Sequence, residues 1–234
     1  MLERINYADG GTALTGWLAR PAGPARAAIV VWPTIANVTP AIERRAERLA
    51  QAGYLALIGD FYGEPVASFE AARPLADSLR ADVGVYRARL HAAVAALRAL
   101  PEAADLPVAT IGFCMGGQAA LELARDGADL VAAVSFHGVF GTARPAEPGA
   151  VRARLLICHG DGDPLAPRGD VLRLWEELDA AGAHWHFHSY SGVRHGFTDP
   201  DSDHRGMAML GYDTSADRQS WAAMLSLFDE VFAG

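Results

Sequence analysis

From about residue 27 onward the chain alternates short apolar runs with longer amphipathic ones. Before that, ERINYA and LTGWLARP alternate apolar with polar residues and read as two strands joined by the turn DGG. RAAIVVWP is a short β-branched run, the pattern of a strand buried on both faces. TPAIERRAERLAQAG carries helix punctuation, with Thr39 to cap, Pro40 in the first turn and Gly53 beyond the end. YLALIGDFYG reads as another buried strand. The Ala-, Leu- and Arg-rich stretch from Ser68 to Leu100 reads as helix, broken near Pro74 and Gly84. PVATIGF, LVAAVSFHG and RLLICHGDGD read as strands, while Met115 to Arg125 and GDVLRLWEELDAAG read as helices. HWHFHSY alternates as a strand does, and DTSADRQSWAAMLSLFDEVFAG is a terminal helix capped near Asp213 to Ser215.

Alternating strands and helices imply a mostly parallel sheet covered by helices on both faces, with the opening hairpin adding an antiparallel edge. No repeat, low-complexity linker or composition shift divides the chain, so residues 1–234 read as a single α/β domain. In such sheets ligands bind beyond the carboxyl ends of the strands, which directs attention to the residues just after each one.

Composition narrows the partners. Of the 234 residues 51% are apolar, as in a globular protein with a continuous core, and the formal net charge is −8. That charge argues against nucleic acid or an anionic membrane as a partner. MLERINYADGG lacks the apolar centre of a signal peptide, and no run approaches the roughly 20 apolar residues of a bilayer span. Cys114 and Cys158 form neither a disulfide framework nor a zinc pattern, so a reduced, cytoplasmic protein is expected.

Three strand ends carry reactive groups. Cys114 follows PVATIGF, Asp161 and Asp163 follow RLLICHG, and His195 follows HWHFHSYSGV. Nucleophile, acid, histidine is the chain order of α/β-hydrolases, and Gly112-x-Cys114-x-Gly116 is the nucleophile-elbow spacing with cysteine in place of serine. Glycines two before and two after the nucleophile remove side chains that would clash across a strained strand-to-helix turn. The helix N-terminus favours a thiolate, and the Met115 amide just inside it can face a developing oxyanion. Asp163, directly before Pro164, is the better candidate to orient the imidazole, with Asp161 as a turn residue. The second oxyanion amide in this fold comes from the loop after an early strand. Here that loop is WPTIAN, with Ile35 as the candidate and Trp32 and Thr34 facing the pocket; core packing is the other reading of Trp32.

These residues resemble the dienelactone hydrolase family. The likeness rests on GFCMGG, HGDGDP and RHGF in that order and on GDFYG after the first crossover, and it spans nearly the whole chain. It implies an α/β-hydrolase fold and a Cys–His–Asp triad, which falls on Cys114, His195 and Asp163. The founding members carry a glutamate in the loop after the early strand that helps to activate the thiol; Thr34 stands at the matching position. They also hold a substrate carboxylate with arginines, for which Arg194 and Arg73 are the substitutes on offer. The chain therefore reads as a divergent member acting on another small ester or lactone, with no cofactor implied, as a monomer or small homo-oligomer. The alternative is a thiol protein on the same scaffold that binds electrophiles or responds to redox change with little turnover.

Other signals are weaker. His184, His186 and His188 share one face of a strand, but no carboxylate or cysteine pattern joins them, and an edge strand explains the alternation. DPDSDH lacks the glycine and glutamate of a calcium loop. Cys158 lies inside an apolar run and reads as inert. His137 and His159 each end a strand before glycine, and either lines the pocket or bonds a neighbouring turn. Tyr62, Arg73, His137 and Phe197 complete the expected pocket wall.

Overall fold

A computed structural model of the chain describes residues 2–233. Its strands are β1 (Glu3–Asp9), β2 (Thr12–Ala19), β3 (Ala28–Trp32), β4 (Leu55–Ile58), β5 (Val108–Phe113), β6 (Ala132–Phe136), β7 (Arg154–Gly160) and β8 (Trp185–Tyr190). Its helices are α1 (Pro40–Gln51), α2 (Phe69–Ala81), α3 (Val83–Arg98), α4 (Met115–Arg125), α5 (Arg168–Ala180) and α6 (Thr214–Val231). The strands form one sheet in the order β1-β2-β4-β3-β5-β6-β7-β8. This is the α/β architecture expected from the alternation, with its antiparallel edge at β1 and β2. The chain also separates into two compact units, divided between Ile111 and Gly112.

In the first unit β1 and β2 pair as a hairpin from Glu3↔Leu18 to Asp9↔Thr12. β3 and β4 run parallel and are buried along their full length, as their unbroken apolar runs require. Thr39 caps α1 by accepting from the Ile42 amide, and Gly53 follows at φ +92°. Two elements differ from the expectation. The strand in YLALIGDFYG stops at Ile58, because the Asp60 carboxylate gathers the amides of Thr15, Tyr62 and Gly63 at 2.9 to 3.0 Å and turns the chain. The long helical stretch breaks at Asp82, near Gly84 as expected, and does not break at Pro74. The Asp82 side chain accepts from the Gly84 and Val85 amides, starting a new helix, while Pro74 lies inside α2.

In the second unit β6, β7 and β8 are parallel, with β8 at the edge. α4 lies against β6, and α6 covers β6 and β7. Phe113 stacks on Phe136 at 4.9 Å between ring centroids, and Phe136 on Trp221 of α6. Arg125 at the end of α4 is buried in this unit. It pairs with Glu122 at 2.9 Å and Glu177 at 2.8 Å and donates to the Phe140 carbonyl. DPDSDH forms a short 3-10 helix, Pro200–His204. Among the described residues no helix is long and apolar enough to cross a membrane, and no cluster of His, Cys, Asp and Glu has the arrangement of a metal site.

Arg125→Leu would remove the guanidinium that Glu122 and Glu177 share, and breaking a buried pair on one side costs about 3–5 kcal/mol. Urea unfolding should show a loss of that order. The double variant Arg125→Leu/Glu122→Leu should recover part of it. A single variant as stable as wild type would contradict this role.

Candidate active site

Three strand ends of the second unit carry the reactive side chains. β5 leads into Cys114, β7 into Asp163, and β8 through a short loop into His195.

Cys114 stands at the N-cap of α4 with φ 58° and ψ −118°, a conformation that L-residues keep only when their surroundings hold them in it. Gly112 shows how tight the turn is: a Cβ there would lie 1.8 Å from the Gly116 carbonyl oxygen. Met115 is the first residue of α4, where backbone N–H groups point out of the helix end.

The acid and the histidine meet in a buried hydrogen bond. His195 Nδ1 lies 2.6 Å from Asp163 Oδ2, and each residue is only 2% exposed. The other carboxylate oxygen accepts from the Leu165 amide. The two loops are fastened backbone to backbone, with Asp161 N–H donating to Tyr190 O and Gly162 N–H to Val193 O, both at 2.9 Å. A Cβ on Gly160 would lie 2.4 Å from Val193 O, so only glycine allows this approach. On its far side His195 donates its amide to Met209 O and accepts from Gly211 N–H. Asp161 instead makes a two-pronged pair with Arg168, which holds its carboxyl below the usual range.

The electrostatics favour a charged histidine. Burial alone would push the His195 pKa down. The charge of the Cys114 sulfur and the bond to Asp163 outweigh burial and raise it from 6.5 to about 10. His195 Nε2 is buried and makes no hydrogen bond of ordinary geometry among the described residues. Cys158 is the contrast: wholly buried in β7, its thiol is pushed up to about 12, the inert behaviour expected of it.

His137 sits beside this group. Its Nδ1 accepts from the Cys114 amide at 3.1 Å, and its Nε2 lies 2.9 Å from Thr198 Oγ1. Its ring meets those of His195 and Phe197 edge-on, at 5.1 and 5.2 Å between centroids. Of the two roles open to it, it has the bond to a neighbouring turn. Phe197 is fully buried against His137 and Tyr190. His159 lies between the rings of Phe140 and Phe187, its nitrogens making no hydrogen bond among the described residues and its pKa lowered by burial.

The remaining candidates belong to the first unit. Trp32 has no exposed surface; it stacks on Phe61 at 5.4 Å and crowds Gly59, so of its two readings the core position is the one observed. In the loop after β3, the Thr34 hydroxyl accepts from the Ala36 amide, and Thr34 O accepts from Asn37 N–H. Tyr62 OH donates to Ile35 O at 3.0 Å, and Asn37 donates to Asp60. Sequence reasoning missed that Asp60 organises this loop. The available signal was an aspartate directly after a buried strand, within GDFYG. Arg73 is exposed on α2, and Arg194 donates to Ala208 O.

A proton held more tightly on folding stabilises the native state fully below the unfolded pKa. For His195 that contribution is complete below about 6.5 and is lost as pH rises through about 10. Cys114→Ala removes the leading influence that raises the pKa, so His195 should titrate at lower pH in the variant, as followed by NMR of its ring. An unchanged titration would show that the sulfur does not act on this imidazole.

The model of the Dienelactone hydrolase family matches residues 14–232. The solved structure named m3DLH is 38% identical, covers 99% of this chain and 98% of its own, and superposes with a TM-score of 0.92. A dienelactone hydrolase-like promiscuous phosphotriesterase, P91, from metagenomic libraries is 33% identical over the same shares, with a TM-score of 0.93. A Bradyrhizobium protein named as a probable 2-oxo-3-(5-oxofuran-2-ylidene)propanoate lactonase is 26% identical over 84% of each chain. The chain belongs to the dienelactone hydrolase family and is a hydrolase of carboxylic esters or lactones.

Proposed function

We propose that this protein cleaves a small carboxylic ester or lactone through a Cys114–His195–Asp163 triad and a thioester intermediate. The observation that carries this reading is the buried 2.6 Å bond between His195 and Asp163, with the Cys114 sulfur as the neighbour favouring the imidazolium. A thiolate paired with an imidazolium is the ground state of an activated cysteine nucleophile.

In the first half-reaction the thiolate attacks the carbonyl carbon and forms a C–S bond, moving an electron pair onto oxygen. The Met115 amide, at the start of α4, donates to that oxyanion; losing such a donor typically costs about 3–4 kcal/mol of barrier. The oxyanion collapses, the C–O bond breaks, and the imidazolium gives its proton to the departing oxygen. In the second half, neutral His195 takes a proton from water. The hydroxide adds to the thioester, the C–S bond breaks to return the thiolate beside the imidazolium, and the carboxylic acid leaves and gives its proton to solvent. Asp163 keeps the ring in the required tautomer throughout. Among the described residues neither Cys114 nor Cys158 is in a disulfide, which suits a reduced, intracellular setting.

Thr34 bears on deacylation. Its hydroxyl is engaged within its own turn, and it stands where founding family members carry a glutamate. This favours a second reading in which Cys114 forms an adduct that turns over poorly. Both readings are tested by hydrolysis of short aryl esters, simple lactones and, in view of P91, a phosphotriester. The triad reading expects at least one substrate to be turned over by wild type and lost by roughly 10³-fold or more in Cys114→Ala. Stoichiometric labelling without turnover supports the adduct reading, and equal hydrolysis by both proteins overturns the triad.

A further inference from the structure

We propose that His137 is a positioning residue, which fixes the strained backbone of Cys114 and ties it to the loop that carries His195. The proposal rests on the triad reading above.

The hydrogen bonds determine the state of the ring. A backbone N–H can only donate, so the Cys114 amide at 3.1 Å from Nδ1 requires a lone pair there. The neutral ring then carries its proton on Nε2, which donates to Thr198 Oγ1 at 2.9 Å. Thr198 is three residues past His195, on the same loop. One imidazole thereby joins the turn of the nucleophile to the loop of the base. The opposite tautomer would forfeit the bond to the Cys114 amide.

The backbones point the same way. Cys114 at φ 58° and His137 at φ 39° are two of the three non-glycine residues with positive φ among those described. Each lies just past a strand, and they are bonded to each other. The Cys114 amide is shared between His137 Nδ1 and Phe136 O, both at 3.1 Å, and the His137 amide donates to Cys158 O at 2.8 Å. His137 is 1% exposed, and its ring edge meets His195. A core-filling role would need only the volume of the ring, whereas this position uses both nitrogens. A sulfur displaced from the imidazole it must exchange a proton with loses rate steeply, on the order of 10²-fold for 1 Å.

Two substitutions separate volume from bonding. His137→Phe keeps an aromatic ring and removes both nitrogens. His137→Asn places Oδ1 at the same bond distance from Cβ as Nδ1 and restores the acceptor. On an ester that wild type hydrolyses, the Phe variant should lose roughly 10- to 100-fold in kcat with KM within about twofold, and the Asn variant should recover most of it. Independently, ¹⁵N NMR of wild-type protein should show His137 with a protonated Nε2 and a bare Nδ1. Should the Phe variant not fold, the Asn variant and the tautomer decide. A Phe variant as active as wild type, an Asn variant as impaired as the Phe variant, or a protonated Nδ1 would overturn the proposal. The underlying reading fails separately, if Cys114→Ala keeps wild-type activity.

Discussion

The backbone of Cys114 is the constraint on which the rest of the site depends. At φ 58° and ψ −118° it cannot persist unaided, since an L-residue in such a region costs about 1–3 kcal/mol. The surroundings supply what holds it. Gly112 passes the Gly116 carbonyl at a distance that excludes a side chain on Gly112, α4 begins at the residue after Cys114, and the Cys114 amide is held by Phe136 and His137. This puts the sulfur at a helix N-terminus at the end of a buried strand, where the helix dipole favours negative charge. Cys158, inside β7, has no such placement, and burial pushes its thiol up to about 12.

The second half of the arrangement is a pair of loops that hold each other. The acid loop after β7 and the histidine loop after β8 are joined by backbone bonds, made possible by glycine at 160 and 162. The His195–Asp163 bond is therefore set by the main chain and then buried, which makes it strong and orders the ring. Burial opposes charge on His195, and the nearby sulfur and carboxylate reverse that balance. The charge balance at His195 thus follows from placement.

Much of this was legible in the sequence, for physical reasons. Strand and helix periodicity gave the α/β alternation because buried parallel strands must be apolar throughout and covering helices amphipathic. Gly112, Cys114 and Gly116 declared the elbow because only glycine fits beside it. The choice of Asp163 over Asp161 followed from Pro164, and the Arg168 pair explains why Asp161 is engaged elsewhere. What escaped were interactions between residues far apart in the chain. Asp60 ended a strand by drawing in amides from residues 15, 62 and 63; its place after the apolar run was a local signal, but the partner at residue 15 was not. Asp82 took over the helix break because a capping carboxylate decides where a new helix starts, and Pro74 was absorbed within α2. His137 looked like any strand-end histidine, because its partners at 114 and 198 are brought to it only by the fold.

The central claim is that Cys114 carries the acyl group during turnover. The direct measurement is the mass of enzyme quenched in acid during steady-state hydrolysis of an aryl acetate, followed by peptide mapping. The account requires a mass increase equal to one acetyl group, located on Cys114 and absent from Cys114→Ala. Sustained hydrolysis by wild type with no acylated species, or with the acetyl group on another residue, would contradict it.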